Sequence, residues 1–252
     1  MLNNPRKEFV EKKMNSRLIP SSFRCELLAM QNPEFVKNAF ASIAPRYVAT
    51  NHVLSMGIDL LWRNRVAQIV SEWKPSRLLD LATGTGDLAL VMQHAMPDTE
   101  ITGSDFCQPM LDIAAARGVA NIVCADAMDL PFPDKGYDAV TVAFGLRNMA
   151  DWSGALKEMK RMLRPGGHLL ILDFSLPSGL LRAPYRWYLH RILPMVAGWM
   201  TGHREAYDYL ARSIEDFPCG EAMCRLIGQA GFIDVSVEPL NGGIASIYRG
   251  EA

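Results

Sequence analysis

Short apolar runs alternate with amphipathic stretches through the middle of the chain. Continuous apolar runs are typical of parallel β-strands that are buried on both faces, and apolar positions at helical spacing indicate helices between them. We therefore predict a doubly wound α/β sheet, in which ligands bind at the carboxyl ends of the strands. The predicted strands begin at Leu78 and then span 100–105, 121–125, 137–143 and 168–174, and the predicted helices span about 87–96, 107–117 and 152–163, the last closed by a turn at Arg164-Pro165-Gly166-Gly167.

The N-terminal part has a different pattern. Residues 1–33 mix charged residues, Ser and Pro without sustained periodicity, and we interpret them as a poorly ordered arm or a short helix. Helical spacing covers 33–47 and returns at 58–73, and a proline marks the end of each stretch. We expect residues 34–73 to form a helical flap over the ligand edge of the sheet.

The C-terminal part departs from the strand and helix alternation. Residues 177–215 are rich in Leu, Tyr, Trp, Arg and Pro, and we expect them to form a helical lid. A helix is predicted at 218–230. Strands at 232–238 and 243–249, joined around Asn241-Gly242-Gly243, are expected to close the sheet as an antiparallel hairpin.

Composition excludes several classes of protein. The 252 residues carry 26 basic and 27 acidic side chains, a balance that gives no electrostatic case for nucleic-acid binding. The five cysteines form no C-x-x-C pair and are interpreted as reduced cytosolic thiols. The histidines lack metal-ligand spacing, so no metal is expected. No apolar stretch reaches the roughly 18 residues of a membrane span and no signal peptide is recognisable, so we expect a cytoplasmic protein, soluble or peripheral to the membrane.

A glycine loop follows the first predicted strand. The strand carries the acid Asp80, and Gly84 and Gly86 come before a helix that begins near Asp87. Glycines can take positive φ and let the backbone approach a ligand closely, and the first turn of the helix offers unpaired N–H groups. The stretch therefore predicts a nucleoside-binding loop.

Two cofactors fit such a loop. The spacing Gly84-x-Gly86-x-x-Ala89 satisfies the relaxed dinucleotide pattern, so an NAD(P) site is one alternative. Asp80, however, would repel a pyrophosphate and attract an amine or ammonium group. The arrangement is similar to motif I of the S-adenosylmethionine (SAM) methyltransferases, with Ala82 where the first glycine of that motif often stands.

Acids also follow the next two strands. Asp105 ends the second strand, where its carboxylate can accept hydrogen bonds from ribose hydroxyls, although both cofactors carry ribose. Asp126 ends the third strand, where the methyltransferase pattern expects an acid beside adenine. The expected cofactor-binding residues are Asp80, Thr83, Gly84, Gly86, Asp105, Asp126 and Ala127.

Further segments carry a more specific resemblance. They are Phe40–Tyr47, Phe144-Gly145-Leu146-Arg147-Asn148, Arg164-Pro165-Gly166-Gly167, Tyr207-x-Tyr209-Leu210 and Gly242-Gly243-Ile244-Ala245. From about residue 35 to its end, the chain resembles the UbiE/COQ5/MenG family, which C-methylates polyprenyl quinols in menaquinone and ubiquinone biosynthesis. It departs from the family at Val48 and Asp59, which stand where Asp and His are usual, and at Asp173, where Glu is frequent.

The resemblance implies a Rossmann-like class I methyltransferase domain over residues 34–252. SAM is its implied cofactor and a polyprenyl quinol its implied substrate, under the lid. By analogy, Arg147 favours the developing phenolate and orients a water, Asn148 holds a quinol oxygen, and Tyr47 contacts that oxygen or the SAM carboxylate. The structural alternative for Arg147 is pairing with Asp151.

Two other functions remain open at this point. One is an NAD(P)-dependent oxidoreductase, and the other is a SAM-binding, non-catalytic subunit of a quinone-synthesis complex; neither homodimer nor complex is decided by the sequence. The substrate ring, naphthoquinol or benzoquinol, is also undecided.

The segment 180–200 predicts peripheral, reversible membrane association. Arg182, Arg186 and His190 recur every four residues, and Trp187, Leu189 and Ile192 are expected to contact lipid. Pro184 and Pro194 are expected to divide the segment into short helices.

Overall fold

The computed structural model describes residues 57–195 and 204–252. The predicted arm at 1–33, the first part of the flap and Tyr47 lie outside these described residues, as do residues 196–203 of the lid.

Seven strands form one mixed sheet in the order β3-β2-β1-β4-β5-β7-β6. The strands are β1 (Arg77–Leu81), β2 (Glu100–Asp105), β3 (Asn121–Cys124), β4 (Tyr137–Ala143), β5 (Leu163–Phe174), β6 (Ile233–Leu240) and β7 (Ala245–Glu251). Strands β1 to β5 run parallel to one another, and β7 runs antiparallel to both β5 and β6. The predicted doubly wound sheet with a terminal antiparallel hairpin is confirmed.

Helices connect the strands and cover both faces of the sheet. They are α1 (Ile58–Trp73), α2 (Asp87–Ala95), α3 (Gln108–Ala116), α4 (Trp152–Met162), α5 (Arg182–Trp187), α6 (Arg204–Asp216) and α7 (Glu221–Gln229). Short 3-10 turns span Leu146–Asn148, Gly179–Leu181 and Asn241–Gly243, and a π-helical turn spans Tyr188–Ile192.

The sheet is buried between two hydrophobic clusters. Leu79 of β1 packs in the cluster that contains α4 residues such as Leu156 and Met159. Its neighbour Leu78 packs in the opposite cluster with Val66 of α1 and Met92 of α2. Because successive residues of a strand point to opposite faces, a strand covered on both sides is apolar at consecutive positions, as β1 is at Leu78 and Leu79.

The turn predicted at residues 164–167 is wrong, because these residues belong to β5. The β4–β5 register passes from Tyr137 opposite Leu163 to Ala139 opposite His168, so residues 164–167 form an excursion within the strand. Gly166 has a φ of 75° there, and its N–H donates to the carbonyl of the C-terminal Ala252 over 2.9 Å. This distant partner keeps the excursion within the sheet.

The break predicted at Pro184 is also wrong. Pro184 lies in the first turn of α5, where a helix has no partner for the missing N–H. Helical backbone continues from α5 into the π turn at Tyr188–Ile192. Within the described residues, no helix is both long enough and apolar enough to cross a membrane.

Candidate active site at the carboxyl ends of the strands

The glycine loop after β1 has a left-handed backbone at three positions. The φ angles are 50° at Ala82, 57° at Gly84 and 81° at Gly86. The N–H of Thr83 donates to the carbonyl of Ser104 in β2 over 3.0 Å. The loop is therefore fixed against the neighbouring strand before α2 begins.

The two glycines of the loop have different surroundings. An added Cβ at Gly84 would meet nothing within 4 Å. At Gly86 the same atom would lie 2.4 Å from Cγ2 of Val119 and 3.2 Å from Cβ of Ala114. Gly86 thus allows the loop to pack closely on α3 and the residues that follow it, whereas Gly84 leaves space for a ligand.

Asp80 is buried behind the loop. Its carboxylate accepts hydrogen bonds from the hydroxyls of Thr83 and Thr141, each over 2.7 Å. Burial raises the pKa of Asp80 to about 6, although these two hydroxyls and the charge of Arg63 act in the opposite direction. Asp80 and Thr83 therefore bind each other and hold the loop in place, and neither of them lines the pocket described below.

Buried charges surround the start of α2. Arg63 of α1 pairs with Asp59 on its own helix, and its Nη2 lies 3.9 Å from Oδ2 of Asp87. Arg117 pairs with the other oxygen of Asp87 over 2.7 Å, and the hydroxyl of Thr85 donates to Oδ2 over 3.1 Å. The carboxylate of Asp87, in the first turn of α2, therefore has two arginine partners and the Thr85 hydroxyl around it.

Asp105 ends β2 with its carboxylate held by the backbone. Oδ2 accepts the N–H of Gly84 and Oδ1 accepts the N–H of Cys107, each over 2.9 Å. Burial raises the pKa of Asp105, while the backbone N–H groups of Cys107, Gly84 and Phe106 oppose this shift. The result is a rigid acceptor joined to the glycine loop.

One pocket opens beyond these strand ends and brings many of the predicted residues together. Gly84, Asp105, Asp126, Ala127 and Asn148 line it. Sequence reasoning missed its apolar lining, most of which directly follows the strand ends and could have been found on that basis. These residues are Leu81, Ala82, Phe106, Met110, Ala125, Met128, Ala143, Phe144, Gly145, Met149 and Ala150.

The two acids in the pocket differ in exposure. Asp105 is 7% exposed, whereas Asp126 lies on the surface beyond β3, where its Oδ1 accepts the N–H of Met128 over 2.9 Å. A buried carboxylate that accepts two backbone hydrogen bonds is a stronger anchor for a ligand than an exposed carboxylate, because water competes less for it.

Arg147 forms a buried ion pair beside Asn148, where β4 and β5 end, and does not itself line the pocket. Its Nη1 lies 2.8 Å from Oδ1 of Asp173 and also donates to the carbonyl of Phe144. The expected alternative partner, Asp151, instead caps α4 by accepting the N–H of Ser153. Burial raises the pKa of Asp173, and the charge of Arg147 opposes this shift. The Nε atom of Arg147 is buried without a hydrogen-bond partner among the described residues.

Aromatic rings pack beside this ion pair. The rings of Phe144 and Phe174 lie 4.6 Å apart, and that of Trp62 lies 6.0 and 6.1 Å from them. The guanidinium carbon of Arg147 is 5.2 Å from the centre of the Phe174 ring. Trp62 is buried and packs against both rings.

The lid residues that were expected to face lipid differ in their exposure. Leu189 is only 1% exposed and packs with residues of α6, so its predicted lipid contact is wrong. Arg186 and His190 both lie within hydrogen-bonding distance of Oε1 of Glu215, at 2.7 and 3.1 Å. Among the lid residues that the structure describes, the exposed large apolar side chains are Leu180, Leu181, Trp187 and Met195.

Comparisons with known proteins agree with this site. The model of the ubiE/COQ5 methyltransferase family matches residues 28–252. A demethylmenaquinone methyltransferase of Thermus thermophilus is 47% identical over 218 residues, which are 84% of this chain and 99% of that protein. A ubiquinone/menaquinone biosynthesis C-methyltransferase UbiE of Bdellovibrio bacteriovorus is 39% identical over 226 residues, covering 87% of this chain and 96% of the relative.

Solved structures share the fold. A SAM-dependent methyltransferase of Thermotoga maritima superposes with a TM-score of 0.53 at 20% identity, covering 79% of this chain and 98% of that chain. A phosphoethanolamine N-methyltransferase of Haemonchus contortus, in complex with SAM, superposes with a TM-score of 0.53 at 16% identity, covering 70% of this chain and 48% of that chain.

Proposed function

Because the chain belongs to the ubiE/COQ5 methyltransferase family, we propose that its pocket brings SAM and the ring of demethylmenaquinol together for C-methylation. The enzyme is a SAM-dependent C-methyltransferase of quinone biosynthesis, and the NAD(P) oxidoreductase and the non-catalytic subunit are set aside. Relatives at 47% and 42% identity are demethylmenaquinone methyltransferases, which supports a naphthoquinol rather than a benzoquinol ring.

The observation that carries the proposal is the shared pocket. Gly84, Asp105 and Asp126 line it together with Asn148, which follows a different strand. The residues fit SAM, since Asp105 offers a fixed carboxylate to ribose hydroxyls and Gly84 leaves open space beside it. The carboxylates also favour a cationic ligand over a pyrophosphate. SAM supplies an electrophilic methyl group when bound.

The protein supplies position and electrostatics for the reaction. Asn148 binds a ring oxygen of the quinol, and the neighbouring Arg147 favours the phenolate form, in which the ring carbon ortho to the oxygen is most nucleophilic. Arg147 stays protonated, so it stabilises charge and orients a water rather than accepting a proton. The ring carbon gains the methyl group and loses its hydrogen as a proton to that water, while S-adenosylhomocysteine leaves.

The test is methyl transfer from SAM that carries a deuterated methyl group. The purified enzyme is mixed with chemically reduced demethylmenaquinone, and separately with a methoxy polyprenyl benzoquinol, and the products are analysed by mass spectrometry. We expect one deuterated methyl group in place of one ring hydrogen in the naphthoquinol. A protein that binds SAM but labels neither quinol would contradict the proposal.

We also infer peripheral membrane contact through the lid. Leu180 is 96% exposed, and Leu181 and Trp187 are 56% and 61% exposed, beside the exposed Arg182. Exposed aromatic and aliphatic side chains next to a basic residue suit the headgroup region of a bilayer, where a polyprenyl quinol lies.

Liposome sedimentation tests this inference. The triple variant Leu180→Ser, Leu181→Ser and Trp187→Ser should bind vesicles containing phosphatidylglycerol more weakly and show a higher KM for a long-tailed quinol. Ile233→Ser is the matched control. Ile233 is also exposed, at 58%, but it lies at the start of β6 opposite Glu251, at the end of the sheet away from the ligand edge. Unchanged vesicle binding in a folded triple variant would contradict membrane contact through this surface.

A further inference from the structure

A hydrogen bond connects the lid to the pocket. The hydroxyl of Tyr209, in α6, lies 3.2 Å from Oδ1 of Asn148. The two residues are 61 positions apart in the sequence. Asn148 is half-buried and lines the pocket, so Tyr209 contacts a residue of the site without itself lining the pocket.

The hydrogen bond from Tyr209 fixes the orientation of the Asn148 amide. An asparagine side chain has one oxygen that only accepts hydrogen bonds and one NH₂ group that only donates them. The Tyr209 hydroxyl binds the oxygen, so the orientation of the amide is fixed with the oxygen towards the lid. The NH₂ group lies 3.5 Å from the carbonyl oxygen of Phe144, which is a long contact for one N–H, and among the described residues the second N–H has no acceptor.

An N–H donor in the pocket selects a particular form of the ring oxygen. A phenolate oxygen is a strong acceptor, and a donor lowers its free energy more than that of the neutral hydroxyl. Arg147, the residue before Asn148, pairs with Asp173 of β5, and the carboxylates of Asp105 and Asp126 line the same pocket as Asn148. An amide held as a donor therefore acts in the same direction as Arg147.

We propose that Tyr209 is a positioning residue for methyl transfer, which orients the Asn148 amide so that it donates to the oxygen that becomes negative. This inference rests on the proposed function, because it requires a quinol oxygen at Asn148. It also makes the position of α6 a condition for a fully active site, since the hydroxyl comes from this helix.

The lid does not depend on this hydroxyl for its packing. Ala211 and Ile214 of α6 are buried against Leu189 and Leu193. Glu215 further joins α6 to the preceding helical segment. Removing one oxygen atom in Tyr209→Phe should therefore leave the lid folded.

The main test compares Tyr209→Phe with the wild-type enzyme. We expect kcat to fall about tenfold, as for the loss of one hydrogen bond that acts in the transition state, with no change in the Kd of SAM. The rising limb of the pH profile of kcat should move to higher pH, because the phenolate is less stabilised. Tyr188→Phe is the control, since the Tyr188 ring stacks 6.3 Å from that of Tyr185 in the same lid, and it should keep wild-type values.

Variants of Asn148 separate donation from packing. Tyr209→Phe should cause little further loss in an Asn148→Ala background, because both changes remove the same interaction. Asn148→Asp, which replaces the donor by an anion, should lose more activity than Asn148→Ala.

The outcomes separate this inference from the proposed function. If the wild-type enzyme methylates no quinol, the proposed function fails and the role of Tyr209 fails with it. If the wild-type enzyme is active and Tyr209→Phe matches it in kcat and pH profile, or the two losses are additive, only the role of Tyr209 is overturned.

Discussion

Asp105 is expected to dominate SAM affinity, and Asp105→Asn is the change that tests it. The substitution keeps the size of the side chain and one carbonyl oxygen but removes the negative charge. Asp105 accepts the N–H groups of Gly84 and Cys107, so an amide at this position also places an NH₂ group against one of these donors. The loss therefore combines a weaker acceptor for ribose with a disturbed glycine loop.

The magnitude follows from the burial of this carboxylate. A hydrogen bond to a charged group contributes about 1.5 to 3 kcal/mol, and the 7% exposure of Asp105 leaves little water to replace it. Loss of about 3 kcal/mol corresponds to a Kd for SAM that is roughly a hundredfold higher. Asp126→Asn removes charge from an exposed side chain and should raise the Kd only about fivefold, or about 1 kcal/mol.

Isothermal titration calorimetry with SAM measures both variants under the same conditions. Thermal unfolding of each unliganded variant serves as the control for folding. Equal affinities for the two variants, or a larger loss in Asp126→Asn, would show that Asp105 is not the ribose acceptor.

Three further predictions concern Arg147, Asp80 and Ala82. Arg147→Ala should leave SAM affinity unchanged and abolish most turnover, but it leaves the Asp173 carboxylate unpaired and should lower the free energy of unfolding by about 3 kcal/mol. The double variant Arg147→Ala with Asp173→Asn should recover much of that stability in denaturant titrations without recovering turnover; a double variant no more stable than the single one would contradict the ion-pair explanation. Burial raises the pKa of Asp80 to about 6, above its unfolded value, so the native state binds the proton more tightly than the unfolded state does. The contribution of Asp80 to the free energy of unfolding should therefore fall as pH rises from about 4 to 6. Between pH 4 and pH 7, the free energy of unfolding of Asp80→Asn should therefore rise by about 2 kcal/mol relative to that of the wild-type protein in paired denaturant titrations, and a constant difference would refute the raised pKa. Ala82 has a φ of 50°, and Ala82→Gly should raise the free energy of unfolding by about 1 kcal/mol; a lower value would show that contacts of its Cβ outweigh the backbone strain.

Local signals were sufficient for the sheet and for part of the pocket. Leu78 and Leu79 are apolar because the two faces of β1 are both covered, so the strand could be recognised without knowledge of its neighbours. Asp105 is the last residue of β2 and Asp126 lies two residues beyond β3, and the carboxyl ends of parallel strands meet at one edge of the sheet. Their convergence on one pocket could therefore be predicted from topology alone.

Long-range pairing could not be predicted in the same way. Arg147 and Asp173 are 26 positions apart and meet only because β4 and β5 are adjacent. Gly86 has the sequence signature of a ligand-binding glycine, but Val119, which determines its role in packing, belongs to a segment beyond α3.

The lid shows a limit of helical spacing. Counting every four residues assumes a regular α-helix, whereas the backbone from Tyr188 to Ile192 is a π turn with a wider repeat. Arg186 and His190 still share a face, because both reach Oε1 of Glu215. The spacing alone, however, did not distinguish Leu189, which is buried, from Trp187, which is exposed.

A crystal structure with S-adenosylhomocysteine and reduced demethylmenaquinone bound together tests the central claim most directly. We expect the ribose hydroxyls within hydrogen-bonding distance of the Asp105 carboxylate, the adenine beside Asp126, and a ring oxygen of the quinol at the amide nitrogen of Asn148. A nucleoside bound outside the pocket, or a quinol ring bound away from Asn148 and Arg147, would contradict the account.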